Sequence, residues 1–128
     1  MSATILIIDD DEVFLDIMKE ILEPEGFNVK TLSDPTKAED NIEKFKPELL
    51  IIDIFMPERS GFNLIEDFRE KGLYLDVPKM FLTCLDDDVE RMTASACGVN
   101  LYMTKPFNPE ELISQVNSAL KGKRKISR

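Results

Sequence analysis

Five side chains of this sequence could share one reaction: Asp9, Asp10, Asp53, Thr83 and Lys105. Asp9 and Asp10 directly follow the run Ile5-Leu6-Ile7-Ile8, and Asp53 directly follows Leu49-Leu50-Ile51-Ile52. Two carboxylates about 5 Å apart repel by roughly 3 kcal/mol at an effective dielectric of 20. Three brought together raise one another's pKa or capture a cation. All-oxygen donors select a hard ion, of which Mg²⁺ is the first choice. Three carboxylates, one divalent ion and the Lys105 ammonium sum to no net charge. A site balanced in this way can accept a phosphoryl group on one carboxylate, because the metal and the ammonium neutralise its developing charge. Thr83 can then donate a hydrogen bond to a phosphoryl oxygen.

The elements that carry these residues follow from their neighbours. Short isoleucine-rich runs suit strands buried on both faces. Such strands are expected at Ile5–Ile8, Phe27–Leu32, Leu49–Ile52, Lys79–Leu82 and Leu101–Met103, the second more polar and therefore suited to an edge. Helical stripes alternate with them. The first is Phe14, Ile17, Met18, Ile21 and Leu22, stopped by Pro24 and Gly26. Asp34-Pro35 opens the second with a cap and a first-position proline, and its stripe is Ala38, Ile42 and Phe45. The third carries Leu64, Ile65 and Phe68. The fourth starts at Asp86-Asp87-Asp88 and turns Val89, Met92 and Ala96 inward. The last, after Asn108-Pro109-Glu110-Glu111, buries Leu112, Ile113, Val116 and Leu120. Five βα units in series predict an α/β fold, a parallel sheet with helices on both faces. In such a sheet ligands bind outside the carboxyl ends of the strands. Four of the five strands deliver a reactive residue to that edge.

The totals narrow the function classes. A length of 128 residues suits one domain with a real core. The net charge of −9 disfavours nucleic acid and anionic membranes as partners. No segment has the apolar length of a membrane span, and the start lacks the basic region of a signal peptide, so a cytoplasmic protein is expected. Histidine is absent, which excludes Ser-His-Asp and Cys-His triads, histidine-ligated zinc and a histidine phosphodonor role. Cys84 and Cys97 lack metal spacing and read as buried free thiols. Five of the last eight side chains are basic, and residues 122–128 read as a solvated basic tail or the start of a linker, after a domain spanning residues 1–121.

Taken together, Asp9-Asp10, Asp53 with Met56-Pro57 and Gly61, Thr83, Gly98, Tyr102 and Lys105-Pro106-Phe107 resemble a two-component response-regulator receiver domain, close to the single-domain chemotaxis type. The match runs in register over residues 4–121. The resemblance implies a flavodoxin-like (βα)5 fold with strand order 2-1-3-4-5. It makes Asp53 the phosphoacceptor, taking its phosphoryl group from a histidine kinase or phosphotransfer protein. It gives Mg²⁺ to Asp10, Asp53, the backbone carbonyl of Phe55 and, through water, Asp9. Lys105 and Thr83 would hold the phosphoryl group, and the Lys105–Pro106 bond would be cis. Thr83 and Tyr102 would form a switch that presents the fourth helix, fifth strand and fifth helix to an output protein or domain. The resemblance places Phe55 and Leu85 at the two positions that would tune dephosphorylation.

Each residue alone has a plainer meaning. Asp11 and Glu12 read as helix-start acids, Tyr102 as a half-buried strand tyrosine, Gly61 as a turn glycine, and Lys105 as a surface lysine. The sequence departs from the family at Cys84, where alanine is usual, and at Leu101, where an acid is common. Two rival functions remain. One is a haloacid-dehalogenase-type phosphatase, an enzyme; it needs an acid two residues after its nucleophile, where this chain has Phe55. The other is a degenerate receiver acting only as a protein-binding scaffold, against which the intact set of five residues argues.

Overall fold

The strands are short, and the middle one, Leu49–Asp53, is buried along its whole length. The computed structural model describes residues 2–84, 88–99 and 101–126, with residues 88–90 and 122–126 by backbone alone. The strands are β1 (Thr4–Ile8), β2 (Asn28–Leu32), β3 (Leu49–Asp53), β4 (Lys79–Thr83) and β5 (Leu101–Thr104). The helices are α1 (Glu12–Leu22), α2 (Ala38–Phe45), α3 (Gly61–Lys71), α4 (Asp88–Ala96) and α5 (Pro109–Ile126). All strand pairs are parallel, in the order β2-β1-β3-β4-β5. The more polar β2 takes one edge, as its composition predicts.

Alternation along the strands divides the core into two layers. Ile5, Ile7, Leu49, Ile51, Met80 and Leu82 face α1 and α5, meeting Leu15, Met18, Leu22, Leu112, Val116 and Leu120. Leu6, Ile8, Leu50, Ile52 and Phe81 face the other way, toward Ala38 and Ile42 of α2, Leu64, Ile65 and Phe68 of α3, and Ala94 of α4. Helices therefore cover both faces of the sheet.

Several expectations are corrected. In α1 the buried stripe is Leu15, Met18 and Leu22, whereas Ile17 is 45% exposed. Five of the six residues from Val13 to Met18 are apolar, so the phase of the helix was ambiguous. In α4, Met92 is 73% exposed and Ala96 is also exposed, and Ala94 is the buried residue. Val89 lies outside the described side chains, and Asp86 and Asp87 outside the described residues. Asp34 does cap, accepting a hydrogen bond from the Thr36 N–H at 3.0 Å, but it starts a 3-10 turn, Pro35–Lys37, which precedes α2. Both cysteines are free thiols, yet Cys84 is exposed and Cys97 only half-buried. The backbone of α5 continues to Ile126, into the basic segment. No helix among the described residues is long and apolar enough to cross a membrane.

Candidate functional site at the carboxyl edge of the sheet

Backbone pairing continues one residue past the strands and helps to place the candidate residues. The Asp9 N–H donates to the Leu32 carbonyl at 3.1 Å, and the Ile54 N–H to Leu82 at 3.1 Å. The Lys105 N–H donates to Thr83 at 2.6 Å. Asp9, Asp53 and Thr83 are all buried, while Asp10 is exposed. One carboxylate oxygen from each of Asp9, Asp10 and Asp53 lies within 4.8 Å of the others. That spacing, with oxygen donors only, fits a hard divalent cation such as Mg²⁺, particularly if one of the three reaches it through water.

Asp9 has a partner on each oxygen. Its Oδ1 accepts from the Asp11 N–H at 2.9 Å, and its Oδ2 accepts from Lys105 Nζ at 2.7 Å. The same ammonium is 3.9 Å from Asp53 Oδ1. Asp53 is the member of the set whose ionisation its surroundings oppose most. Burial in the sheet edge, then repulsion by Asp9, pushes its carboxyl from 3.8 up to about 7, with Lys105 opposing and Asp10 adding to the rise. A hydrogen bond from the Phe55 backbone N–H holds it down slightly. A carboxylate kept from full ionisation by its neighbours favours whatever brings positive charge beside it.

The flanking loops are well tied. Asp11 is the N-cap of α1 and accepts from the Val13 and Phe14 N–H groups at 3.1 and 3.2 Å, as a helix-start acid should. After Asp53 the chain passes Phe55, which is 47% exposed, and Glu58, which holds a positive φ of 69°. It then reaches Arg59, whose guanidinium binds both oxygens of Glu39 at 2.7 and 2.6 Å and Asp67 at 2.9 Å. A capping box between Ser60 and Asn63 starts α3. The Lys105–Pro106 bond is cis, as the resemblance implied.

The structure thus brings Asp9, Asp10, Asp53 and Lys105 together, with Thr83 at the end of the adjacent strand β4. Tyr102 sits on β5 opposite Phe81, half-buried, with the Arg91 guanidinium 4.4 Å from its ring centroid. Leu85 lies outside the described residues. Sequence reasoning missed Phe14 and Arg59. The Phe14 ring lies 4.1 Å from Lys105 Nζ and stands edge-on to Phe107, 5.9 Å away at 88°. Phe14 looked like one more core residue of a helical stripe, and nothing along the chain signals its meeting with a lysine from the far end. Arg59 was one basic residue in a loop, and only the folded chain gathers two acids around it.

The chain is similar to known proteins in both sequence and fold. Residues 5–117 match the family model described as the response regulator receiver domain. The transcriptional regulatory protein YvrH of Bacillus subtilis is 37% identical over 123 residues, covering 94% of this chain and 50% of YvrH. The regulatory protein VanRc of Enterococcus gallinarum is 33% identical over 121 residues, covering 94% of this chain and 51% of VanRc. This chain spans about half the length of these curated relatives. Among solved structures, a CheY-like receiver domain protein from Methanospirillum hungatei superposes with a TM-score of 0.88 at 28% identity, covering 98% of each chain. The BeF3-activated receiver domain of Klebsiella pneumoniae RstA gives 0.85 at 26% identity, covering 91% of this chain and 97% of that one.

Proposed function

Because this chain belongs to the response regulator receiver domain family, we propose that it accepts a phosphoryl group on Asp53 from a phosphohistidine of a partner kinase or phosphotransfer protein. The single observation that carries this reading is the Asp53 carboxylate, buried beside Asp9 and within 4.8 Å of two further acids, with one ammonium 3.9 Å away. An Asp53 oxygen attacks phosphorus, and the nitrogen–phosphorus bond of the donor breaks. The electron pair returns to the donor imidazole, leaving an acyl phosphate on Asp53. Lys105 swings from Asp9 toward a phosphoryl oxygen, and the Thr83 hydroxyl donates to another.

Asp10, Asp53 and the Phe55 carbonyl would hold Mg²⁺, with Asp9 reaching it through water. Mg²⁺ bound there supplies the charge neutralisation that three carboxylates and a phosphoryl group require. Once Thr83 turns to the phosphoryl group, it leaves space beside β5 into which Tyr102 turns. The surface of α4, β5 and α5 then differs between the two states, and an output protein or domain reads it. Relatives named as regulatory proteins support such an output. This domain does no other chemistry than gaining and losing its own phosphoryl group.

The test is covalent. Incubation with a small phosphodonor and Mg²⁺ should add one acid-stable, base-labile phosphoryl group, seen by mass spectrometry. Asp53→Asn should abolish it. Labelling that persists in that variant places the nucleophile elsewhere and sinks the reading.

A further inference from the structure

We propose that Phe14 is a positioning residue for Lys105, holding the ammonium through the face of its ring so that it stays within reach of Asp53. The proposal rests on the phosphotransfer reading above and concerns how that reaction is prepared.

Lys105 is the one cation within 4 Å of Asp9 and Asp53 among the described residues, and it sits on a flexible four-carbon stem. Its Nζ is 2.7 Å from Asp9 Oδ2 but 3.9 Å from Asp53 Oδ1. The nearer carboxylate alone would draw the ammonium away from the reacting atom. The Phe14 ring supplies a second attraction, since Nζ lies 4.1 Å from its centroid, within the reach of a cation–π contact. Ring and ammonium are both sheltered at the sheet edge, with the Lys105 side chain 20% exposed, so the contact is less screened than one in open water.

The ring itself is fixed from two sides. The Phe14 N–H donates to the capping Asp11 carboxylate at 3.2 Å, which anchors the backbone from which the ring departs. Phe107 stands perpendicular to the ring at 5.9 Å. Phe107 follows Lys105 by two residues, so the loop carrying the lysine is tied to the same ring that its ammonium touches. Phe14 thereby joins the first turn of α1 to the loop between β5 and α5, across the mouth of the site.

The experiment grades the charge of the ring without changing its shape. Phenylalanine, 4-fluoro-, 3,5-difluoro- and pentafluorophenylalanine are installed at position 14 of the full chain, which draws electron density progressively from the ring face. Two readouts are followed: labelling of Asp53 by a small phosphodonor at saturating Mg²⁺, and NMR shifts of the Lys105 ε-methylene protons without donor. Labelling should slow stepwise across the series, by about 3- to 10-fold at its end, with melting temperatures close together. The ε-protons should lose the upfield shift that the ring face imposes. Phe14→Leu should slow labelling to a similar degree, and Phe14→Tyr should restore it. A labelling rate that stays flat across the series overturns the proposal alone. Wild-type protein that is never labelled on Asp53 overturns the phosphotransfer reading and this proposal together.

Discussion

Gly61 lies so close to Asp53 that a β-carbon added to it would stand 2.7 Å from the Asp53 carbonyl oxygen. The same carbon would meet the Ile54 α-carbon and the Phe81 ring, each at 3.1 Å. The start of α3 is thus packed directly on the end of β3, and backbone atoms cannot give way as a flexible side chain can. Gly61→Ala should destabilise the fold by about 1–3 kcal/mol, the usual cost of overpacking, and shift the amide signals of residues 53 and 54. Chemical denaturation and an NMR spectrum check both. A variant as stable as the parent would show that α3 can move off the strand.

Asp53 should cost the metal-free protein stability as pH rises. Its carboxyl moves from 3.8 to about 7 on folding, so the folded state binds the proton more tightly than the unfolded chain does. Below pH 3.8 the group is protonated in both states and costs nothing. Between 3.8 and about 7 the unfolded chain releases the proton first, and the penalty grows until it is complete above 7. Asp53→Asn should therefore be more stable than wild type by about 1–4 kcal/mol at pH 8, since each tenfold change in proton affinity is worth about 1.36 kcal/mol. The difference should vanish near pH 3.5, and Mg²⁺ should narrow it at pH 8. Denaturant titrations across this range decide the matter. A gain that is constant with pH would place its origin in packing.

Mg²⁺ should bind weakly, because it keeps several waters and receives few protein ligands. The chain contains no tryptophan, so NMR titration is the suitable probe. Shifts should centre on residues 9–11, 53–57 and 83–85. Asp10→Ala should remove them, whereas unchanged binding in that variant would take Asp10 out of the ligand set.

The acyl phosphate should be long-lived compared with relatives carrying polar side chains at positions 55 and 85. Hydrolysis needs a water in line with the phosphorus and the Asp53 oxygen. Phe55 follows Asp53 by two residues, is 47% exposed, and cannot hydrogen-bond that water. Decay of the phosphoryl group is measured in wild type and in a Phe55→Asn, Leu85→Glu double variant. Faster decay in the variant supports shielding by these side chains, and equal decay removes it.

Much of this was readable along the chain because the signals were redundant. The Ile5–Ile8 and Leu49–Ile52 runs could hardly be anything but buried strands, and each leads into an acid. That placed Asp9, Asp10 and Asp53 at one edge, where the folded chain has them within 4.8 Å. Readings failed where a single physical cue was degenerate. Apolar residues crowd the start of α1, so periodicity could not choose between Leu15 and Ile17. In α4 the apolar residues Val89, Met92, Ala94 and Ala96 do not fall on one face, and Ala94 faces inward while Met92 does not. Contacts such as Arg59 with Glu39, or Phe14 with Lys105, depend on loops meeting in space and leave no trace in spacing.

Strand order has a mechanical corollary. Asp53 leaves β3, the middle strand of five, whereas Tyr102 rides β5, an outermost one. A middle strand is gripped along both flanks, an outermost one along a single flank, so amide exchange should be slowest near Asp53 and quicker near Tyr102. The Asp53 carboxylate is bolted to the stiffest timber of the frame, and the tyrosine hangs at its yielding rim. A turn of Tyr102 at that rim would leave the Asp53 carboxylate where it is.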